Sequence, residues 1–201
     1  MLPAINVSTD IKRLTRGLND TARNQVPFAT AKALTAAADL ARITVTRQLP
    51  SIFDKPTPFT MRGVTIQAAT KRNLQARVFV KDKQAAYLGV QETGGEVRPK
   101  AKKPLFMPTD QLPRDAYGNL PRGTLKREKR KKDVFVGKVD RRLGFFWRLA
   151  EGAEVALAFM YRRFKYKPRF HFKARVEASV RKTLPAAFKG ALRQAMATRR
   201  R

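Results

Sequence analysis

The sequence of 201 residues contains no cysteine and a single histidine, His171. Without thiols, disulfide scaffolds, thiolate zinc sites and cysteine nucleophiles are excluded, and one imidazole cannot build a multi-histidine metal centre. No apolar run approaches the roughly 20 residues needed to cross a bilayer, and the N-terminus lacks the charged and apolar stretches of a secretory signal. We therefore expect no cofactor, no metal and no membrane association, in a protein assembled inside a cell.

Acidic residues are also scarce, because 15 Asp or Glu stand against 44 Lys or Arg, giving a formal net charge of +29. Residues 98–201 hold 30 basic and 8 acidic residues, whereas residues 1–97 hold 14 and 7, so the second half carries most of the surplus. Such a charge favours polyanionic partners, of which nucleic acid is the commonest and an acidic protein surface another. With 43% hydrophobic residues, the chain is nevertheless typical of a folded domain with a real core.

The few carboxylates do not form a pattern that an enzyme requires. Hydrolases and metal-dependent nucleases need paired or clustered carboxylates, and here only Glu151 and Glu154 lie close in sequence, among many arginines. There is no phosphate-binding loop of the Gly-x-x-x-x-Gly-Lys-Ser/Thr type. His171 lies between two phenylalanines, which is more typical of a packed or exposed histidine than of a catalytic one. We therefore expect no enzymatic activity, and a phosphodiester hydrolase is the disfavoured class.

The first half of the sequence predicts helices. Ser8 can cap a helix that begins at the next residue, and Pro27 predicts a break or kink in it. The alanine-rich stretch from Phe28 to Gln48 predicts a second helix, ended by Pro50, whose small side chains allow another backbone to approach closely. A position in the core is favoured for this helix over a subunit contact.

Strands follow, and a helix closes the chain. Alternation from Leu74 to Val80 predicts a strand with Ala76, Val78 and Val80 on one face. Lys81 to Lys83 predicts a turn, and Tyr87 to Val90 a further strand or a short helix. The predicted fold is α+β in one domain, 1–201, with helical residues 8–48, strands at 60–97, a basic extended arm or loop at 98–132, strands and a short helix at 133–170, and a C-terminal helix at 172–198, bent near Pro185.

The segment from Arg98 to Arg130 contains five prolines and shows little periodicity. A long irregular segment in a compact domain is either functional or disordered when free. Its basic residues are predicted to lie along a phosphate backbone or to reach an acidic neighbour; the alternative is a solvated loop that only maintains solubility. The candidate contact residues are Arg98, Lys100, Lys102, Lys103, Lys126, Arg127, Lys129, Arg130, Lys131 and Lys132, with the basic tail Arg199, Arg200 and Arg201.

Aromatic and basic residues alternate from Phe164 to Lys173. One interpretation is a platform on which the bases of a single strand stack. The favoured interpretation is a strand with a buried aromatic face and a solvated basic face, because a period of two is what any half-buried strand shows. No motif for sequence-specific readout of DNA or RNA accompanies it.

Three segments together resemble a known family: Val26-Pro27-Phe28-Ala29 leading into the alanine-rich helix, the strand segment from Ala69 to Val78 (Ala-Thr-Lys-Arg-Asn-Leu-Gln-Ala-Arg-Val), and the final helix from Phe172 to Met196. With the Lys/Arg-rich loop between them, they are similar to the minor tail protein Z, or tail-completion, proteins of tailed bacteriophages. These proteins are basic, cysteine-poor and close to this length. The resemblance runs over most of the chain and departs from the family in the proline-rich insert from Arg98 to Arg122, with its Tyr117-Gly118-Asn119 turn.

The resemblance implies a structural virion protein of the neck that joins or seals the connection between head and tail. It implies a homo-oligomeric ring, with six subunits favoured, that is assembled in the host cytoplasm and resides in the virion. Its partners would be other neck, tail and connector proteins, with nonspecific contact to the duplex DNA that passes through the ring. The alternative from a different class is a non-sequence-specific nucleic-acid-binding protein, such as a packaging or ribosome-associated factor.

Overall fold

The structure, a computed structural model, describes residues 4–8, 20–98 and 104–197. It divides into two compact units: unit one comprises residues 1–92 and 169–201, and unit two comprises residues 93–168. The fold is α+β, as predicted, with helices towards both ends of the chain and small antiparallel sheets. The sequence prediction of one domain over 1–201 differs from this division, because each unit builds a hydrophobic core of its own.

Within the described residues, the helices are α1 (Asp20–Ile52), α2 (Pro58–Met61), α3 (Asp82–Thr93), α4 (Thr124–Glu128) and α5 (Phe172–Ala197). The strands are β1 (Ile5–Ser8), β2 (Val64–Gln67), β3 (Gln75–Val80), β4 (Gly95–Val97), β5 (Leu105–Pro108), β6 (Val134–Val139), β7 (Arg142–Arg148), β8 (Glu154–Tyr161) and β9 (Phe164–Tyr166). Unit one contains a sheet of order β1-β3-β2. Unit two contains a sheet of order β5-β8-β7-β6 and the two-stranded ladder β4-β9.

Helices α1 and α5 form the framework of unit one. Alanines at four-residue spacing on α1, Ala29 and Ala33, pack against Ala191 and Ala195 of α5, since side chains four apart share one helix face. The helices run antiparallel, because Lys32 near the start of α1 donates a hydrogen bond to Gln194 near the end of α5, with 2.6 Å between Nζ and Oε1. The expectation that the alanine-rich helix belongs to the core is therefore confirmed.

Helix α1 continues through Pro27, so the predicted break is absent from the described residues. A proline removes one backbone donor, but Val26 and Ala29 on either side of it are buried, and this packing outweighs one missing hydrogen bond. Pro50 and Pro185 likewise lie inside continuous helices, so the predicted end of the alanine-rich helix at Pro50 is wrong and α1 extends to Ile52. Ser8 ends strand β1, whereas the predicted helix after it falls on residues 9–19, outside the described residues.

The sheet of unit one confirms the predicted strand. On β3, Ala76, Val78 and Val80 are buried while Arg77 is exposed, and they join the core cluster that includes Leu34 of α1 and Phe172 of α5. Strand β1 pairs with β3 from Ile5 opposite Val78 to Ser8 opposite Gln75. Pairing across some 70 intervening residues leaves no local signal in the sequence, which is why β1 was not predicted.

Helix α3 corrects one prediction and decides another. It begins at Asp82, where a turn was predicted, and it includes Tyr87 to Val90, for which the prediction was a strand or a short helix. Gln84 and Leu88, four residues apart, are its buried side chains, and the Gln84 side chain donates a hydrogen bond to the Phe59 carbonyl, with 2.9 Å between Nε2 and O. The spacing of those two residues is helical, but a buried glutamine does not read as an apolar position.

Unit two is built on its four-stranded sheet. Phe145, Leu157 and Ala158 form its core with Leu112, and Leu120, Leu125, Val134 and Met160 pack against them. Between β7 and β8 the register shifts at Phe145/Phe146. Such a bulge re-aims side chains, and here it accompanies two consecutive buried residues of β8, Leu157 and Ala158.

The prediction of an extended basic arm at 98–132 is wrong for the described residues 104–132. Strand β5 pairs with β8, from Leu105 opposite Tyr161 to Pro108 opposite Ala158. Leu112 is buried, and Leu125 of α4 packs on the core cluster. Residues 109–123 remain irregular, but buried leucines fix them to the sheet. The region 133–170 consists of strands and turns without the predicted short helix.

Candidate functional site

The predicted basic contact residues are distributed over folded structure. Lys126 and Arg127 lie on α4, and Lys129 to Lys132 form the turns that lead into β6. Arg98 follows β4. Lys100, Lys102, Lys103 and the tail residues Arg199, Arg200 and Arg201 lie outside the described residues.

Some of these cations already have acidic partners. Lys131 forms an ion pair with Glu128, with 2.6 Å between Nζ and Oε2, and Arg98 pairs with Glu96, with 2.9 Å between Nε and Oε1. Lys126, Arg127, Lys129, Arg130 and Lys132 are exposed. The predicted run therefore presents exposed charge along a short helix and its following turns. The start of that helix is held by Thr124, whose buried hydroxyl donates a hydrogen bond to the Pro121 carbonyl.

The aromatic–basic alternation at 164–173 forms a strand only over Phe164–Tyr166, so the predicted half-buried strand is confirmed for those residues and wrong beyond them, where Phe172 begins helix α5. Phe170 and Phe172 are fully buried in the core of unit one. Phe164 and Tyr166 are half-buried on β9 and contact each other edge to face, with 4.9 Å between ring centroids. Because two of the four rings are inaccessible, a stacking platform along this segment is not formed.

A second basic cluster, which the sequence did not single out, lies at one end of the four-stranded sheet of unit two. An open cleft of about 620 Å³ there is lined by four cationic side chains. They come from β6, from the β6–β7 turn, from the first residue of β7 and from the residue after β8: Lys138, Arg141, Arg142 and Arg162. Three of them lie within residues 138–142 but Arg162 comes from a distant position, so no single run of charge in the sequence indicates the whole cluster.

Aromatic rings with arginines above them occupy one face of the same sheet. Phe146 stacks on Phe135 and meets Phe159 edge to face, with 5.8 and 6.4 Å between centroids. The guanidinium of Arg148 lies 4.7 Å from the ring centroid of Phe135, and that of Arg142 lies 5.4 Å from the centroid of Phe159. Such cation–π contacts hold a guanidinium plane in place while its N–H groups remain able to donate.

A second groove in unit two, of about 640 Å³, lies beside Trp147. It is lined by Lys132 and Arg148 but also by Asp133, and Arg148 pairs with Glu154, with 3.5 Å between Nη2 and Oε1. Trp147 itself is 41% exposed. This groove therefore combines an exposed aromatic ring with mixed charge, whereas the charged residues that line the cleft at Lys138 are all cations.

The structure provides little for catalysis in the part of the chain that it describes. Glu151 lies in a turn and Glu154 on β8, so they do not share the helix face considered from the sequence. His171 is exposed, with a left-handed φ of 47°, and its carbonyl accepts the first hydrogen bond of α5, from the Arg175 N–H. Among the described residues, no group of three His, Cys, Asp or Glu could hold a metal ion, and no helix is long and apolar enough to span a membrane.

Three features of this chain bear on its function: the resemblance to tail-completion proteins predicted from the sequence, the exposed cations of 126–132, and the cationic cleft at the end of the sheet of unit two. Neither a protein-family model, nor a curated protein, nor a solved structure matches this chain.

Proposed function

We propose that this chain is a non-enzymatic structural protein of a tailed-phage virion, a neck or tail-completion component that joins or seals the connection between head and tail. The observation that supports the proposal is where its family-like segments lie. The segment at Val26–Ala29, the strand region Ala69–Val78 and the helix Phe172–Met196 are far apart in sequence, yet all belong to unit one. Helix α1 packs on both β3 and α5 there.

The part that departs from the family lies elsewhere. The insert Arg98–Arg122 falls within unit two, which has its own core. If unit one is the framework shared with the family, a part added for this protein's own partners is expected to fold around a core of its own, as unit two does. In this proposal unit one supplies the framework of a ring, with six subunits favoured, and unit two contacts neck, tail or connector proteins and the DNA that passes through.

The test is to assemble particles with and without this chain and to image them by electron microscopy. The proposal expects that particles lacking the chain leave heads and tails unjoined or lose their DNA, and that supplying the intact chain restores joined particles. A labelled chain is expected in a ring between head and tail. Joined, DNA-filled particles formed in its absence would refute the neck role.

A general nucleic-acid-binding protein is the second candidate. The exposed cations of residues 126–132 favour it, because Lys126, Arg127, Lys129, Arg130 and Lys132 form no ion pair among the described residues. This candidate predicts that the chain is recovered from infected-cell lysate on nucleic acid and not on any particle. Fractionating one lysate on a density gradient, with the chain followed by antibody, separates the two candidates.

A further inference from the structure

The cationic cleft of unit two is built at the place where the β6–β7 hairpin meets the end of β8. Val139 pairs with Arg142 to close the hairpin, and the two turn residues, Asp140 and Arg141, have φ values of 46° and 65°. Two successive left-handed residues characterise the tight hairpin turn that matches the twist of its strands. The backbone that supports Arg141 and Arg142 is therefore fixed by the turn and by the pairing of the strands.

The charge of this cleft is not compensated by the residues that line it. Four cations line it and no carboxylate does. Among the described residues, none of these four side chains forms an ion pair or a side-chain hydrogen bond, and Asp140 in the adjacent turn forms no ion pair either. Four like charges around one cleft raise the local potential, and this cost is offset when an anion occupies the space.

Two arginines of the same sheet differ in whether a carboxylate pairs with them. Arg148 lies over Phe135 and is also paired with Glu154. Arg142 lies over Phe159 in the same way, 5.4 Å from the ring centroid, but without a carboxylate partner among the described residues. The stack restrains the guanidinium plane of Arg142, so less rotamer entropy is lost when its edge donates two parallel hydrogen bonds to a phosphate.

We propose that this cleft, lined by Lys138, Arg141, Arg142 and Arg162, binds the phosphodiester backbone of nucleic acid without reading its sequence. Three of the four cations are arginines, whose forked donors match phosphate oxygens. Tyr161, 36% exposed, also lines the cleft and offers a ring beside the backbone. The proposal deepens the proposed neck function and rests on it for its biological setting, in which the nucleic acid is the packaged DNA, but the binding itself is tested separately.

The test measures binding of the full chain to a short duplex and to a single strand of the same length, by fluorescence anisotropy over a range of salt concentrations. The cleft variant is K138Q/R141Q/R142Q/R162Q. The matched control removes three arginines and one lysine from exposed positions of unit one: R72Q/R181Q/K189Q/R193Q. A third variant neutralises part of the predicted run: K126Q/R127Q/K129Q/R130Q.

If all four cleft residues contact phosphates, the slope of log affinity against log salt flattens by about 3.6 in the cleft variant. Between about 50 and 200 mM salt, the intact chain then loses on the order of 10²-fold more affinity than that variant does. The control and the 126–130 variant are expected to change the slope by less than about one. A larger effect on the duplex than on the single strand assigns the cleft to duplex DNA, and the reverse assigns it to single strands.

Several results would overturn the proposal. One is absence of DNA binding by the intact chain at about 50 mM salt, and another is an equal loss of slope in the cleft and control variants, which indicates diffuse charge. A larger loss in the 126–130 variant would place the contact on the basic run instead. Binding of the same chains to polyglutamate is measured as well. If the cleft variant retained DNA binding but lost binding to polyglutamate, the partner of the cleft would be an acidic protein.

Folding of the cleft variant is checked by circular dichroism. If that variant misfolds, the double variant R141Q/R162Q, confined to two exposed side chains, is expected to flatten the slope by about 1.8, and an unchanged slope there rejects the cleft. Failure of the neck function would be seen in particles that join without the chain, whereas failure of the cleft would be seen only in these binding curves. The two proposals can therefore fail independently.

Discussion

Units one and two bury their apolar side chains in different ways. Of the buried hydrophobic residues in the described part of the chain, 21 belong to unit one and five to unit two. Unit one closes its core between two long helices and a three-stranded sheet, whereas unit two closes a small core between a sheet and an irregular segment. Since apolar burial is the main favourable term in folding, unit one is expected to be the more stable unit.

The two units differ much less in charge. Unit one holds 24 basic and 7 acidic residues, a net of +17 over 125 residues, and unit two holds 20 and 8, a net of +12 over 76 residues. Charge density therefore does not distinguish them. What distinguishes unit two is placement, because strands and a tight turn bring four of its cations around one cleft. The comparison teaches that a basic composition predicts the kind of partner, while only the fold brings particular cations together at one place.

The largest effect is expected from Phe172→Ala in unit one. The Phe172 ring is fully buried, so its removal is expected to lower the free energy of unfolding by about 3–5 kcal/mol. The measurement follows unfolding in denaturant with two probes. Circular dichroism reports mainly α1 and α5 of unit one, with 33 and 26 residues, and fluorescence reports Trp147, the single tryptophan, in unit two.

The matched variant is Leu112→Ala in unit two, expected to cost about 2–4 kcal/mol. Phe172→Ala is expected to shift the dichroism transition and Leu112→Ala the fluorescence transition, each leaving the other in place. If both probes shift together in either variant, the two units unfold as one cooperative domain, and the contrast drawn between them is wrong.

The elements that could be predicted from the sequence are those with a local signal. The alanine-rich composition predicted α1, alternation predicted β3, and the closing helix was predicted over 172–198, where α5 lies. These three elements belong to unit one, and the strands predicted at 133–170 are present in unit two as β6 to β9. The three segments on which the predicted resemblance depends overlap with α1, β3 and α5.

The elements that could not be predicted depend on partners distant in sequence. Strand β5, Leu-Phe-Met-Pro, follows Pro104 and ends in Pro108, and it is a strand because β8 pairs with it. The cleft depends on Arg162 returning beside the hairpin of Arg141 and Arg142, which no local pattern encodes. The basic residues of 126–132 could be predicted as contact residues because they are contiguous in the sequence. The cations of the cleft could not, because only the fold brings them together.

A smaller effect is expected from Glu92→Ala. The Glu92 carboxylate accepts hydrogen bonds from the first N–H groups of α5, with 2.6 Å from Phe172 N to Oε2 and 3.2 Å from Lys173 N to Oε1. Loss of such a cap is expected to lower the free energy of unfolding by about 0.5–2 kcal/mol, seen in the dichroism transition. The control is Glu177→Gln, an exposed residue on the same helix whose change is expected to stay within about 0.5 kcal/mol. Equal effects of the two variants would show that the capping bonds contribute nothing beyond their charge.

The smallest effect on unit one is expected from the largest change in sequence, replacement of residues 93–168 by a short Gly-Ser linker. The chain leaves unit one at Glu92 and returns at Arg169, and the Gln91 carbonyl accepts hydrogen bonds from the N–H groups of Arg169 and Phe170, both at 2.9 Å. The ends to be joined are therefore adjacent, and closing a short loop between adjacent ends costs little. The core of unit one, including Phe170 and Phe172, is formed by residues that all remain.

Unit one without residues 93–168 is thus expected to keep the helical dichroism of α1 and α5. Its free energy of unfolding is expected to stay within about 1 kcal/mol of the value that the dichroism transition gives for the full chain. A chain that loses its helices when these residues are removed would show that unit one depends on unit two for folding. That result would also contradict the proposal that the framework in unit one and the cleft in unit two are separable parts. If the shortened chain folds, it is also predicted to lose the salt dependence that the proposal assigns to the cleft, because all four lining cations lie within residues 93–168.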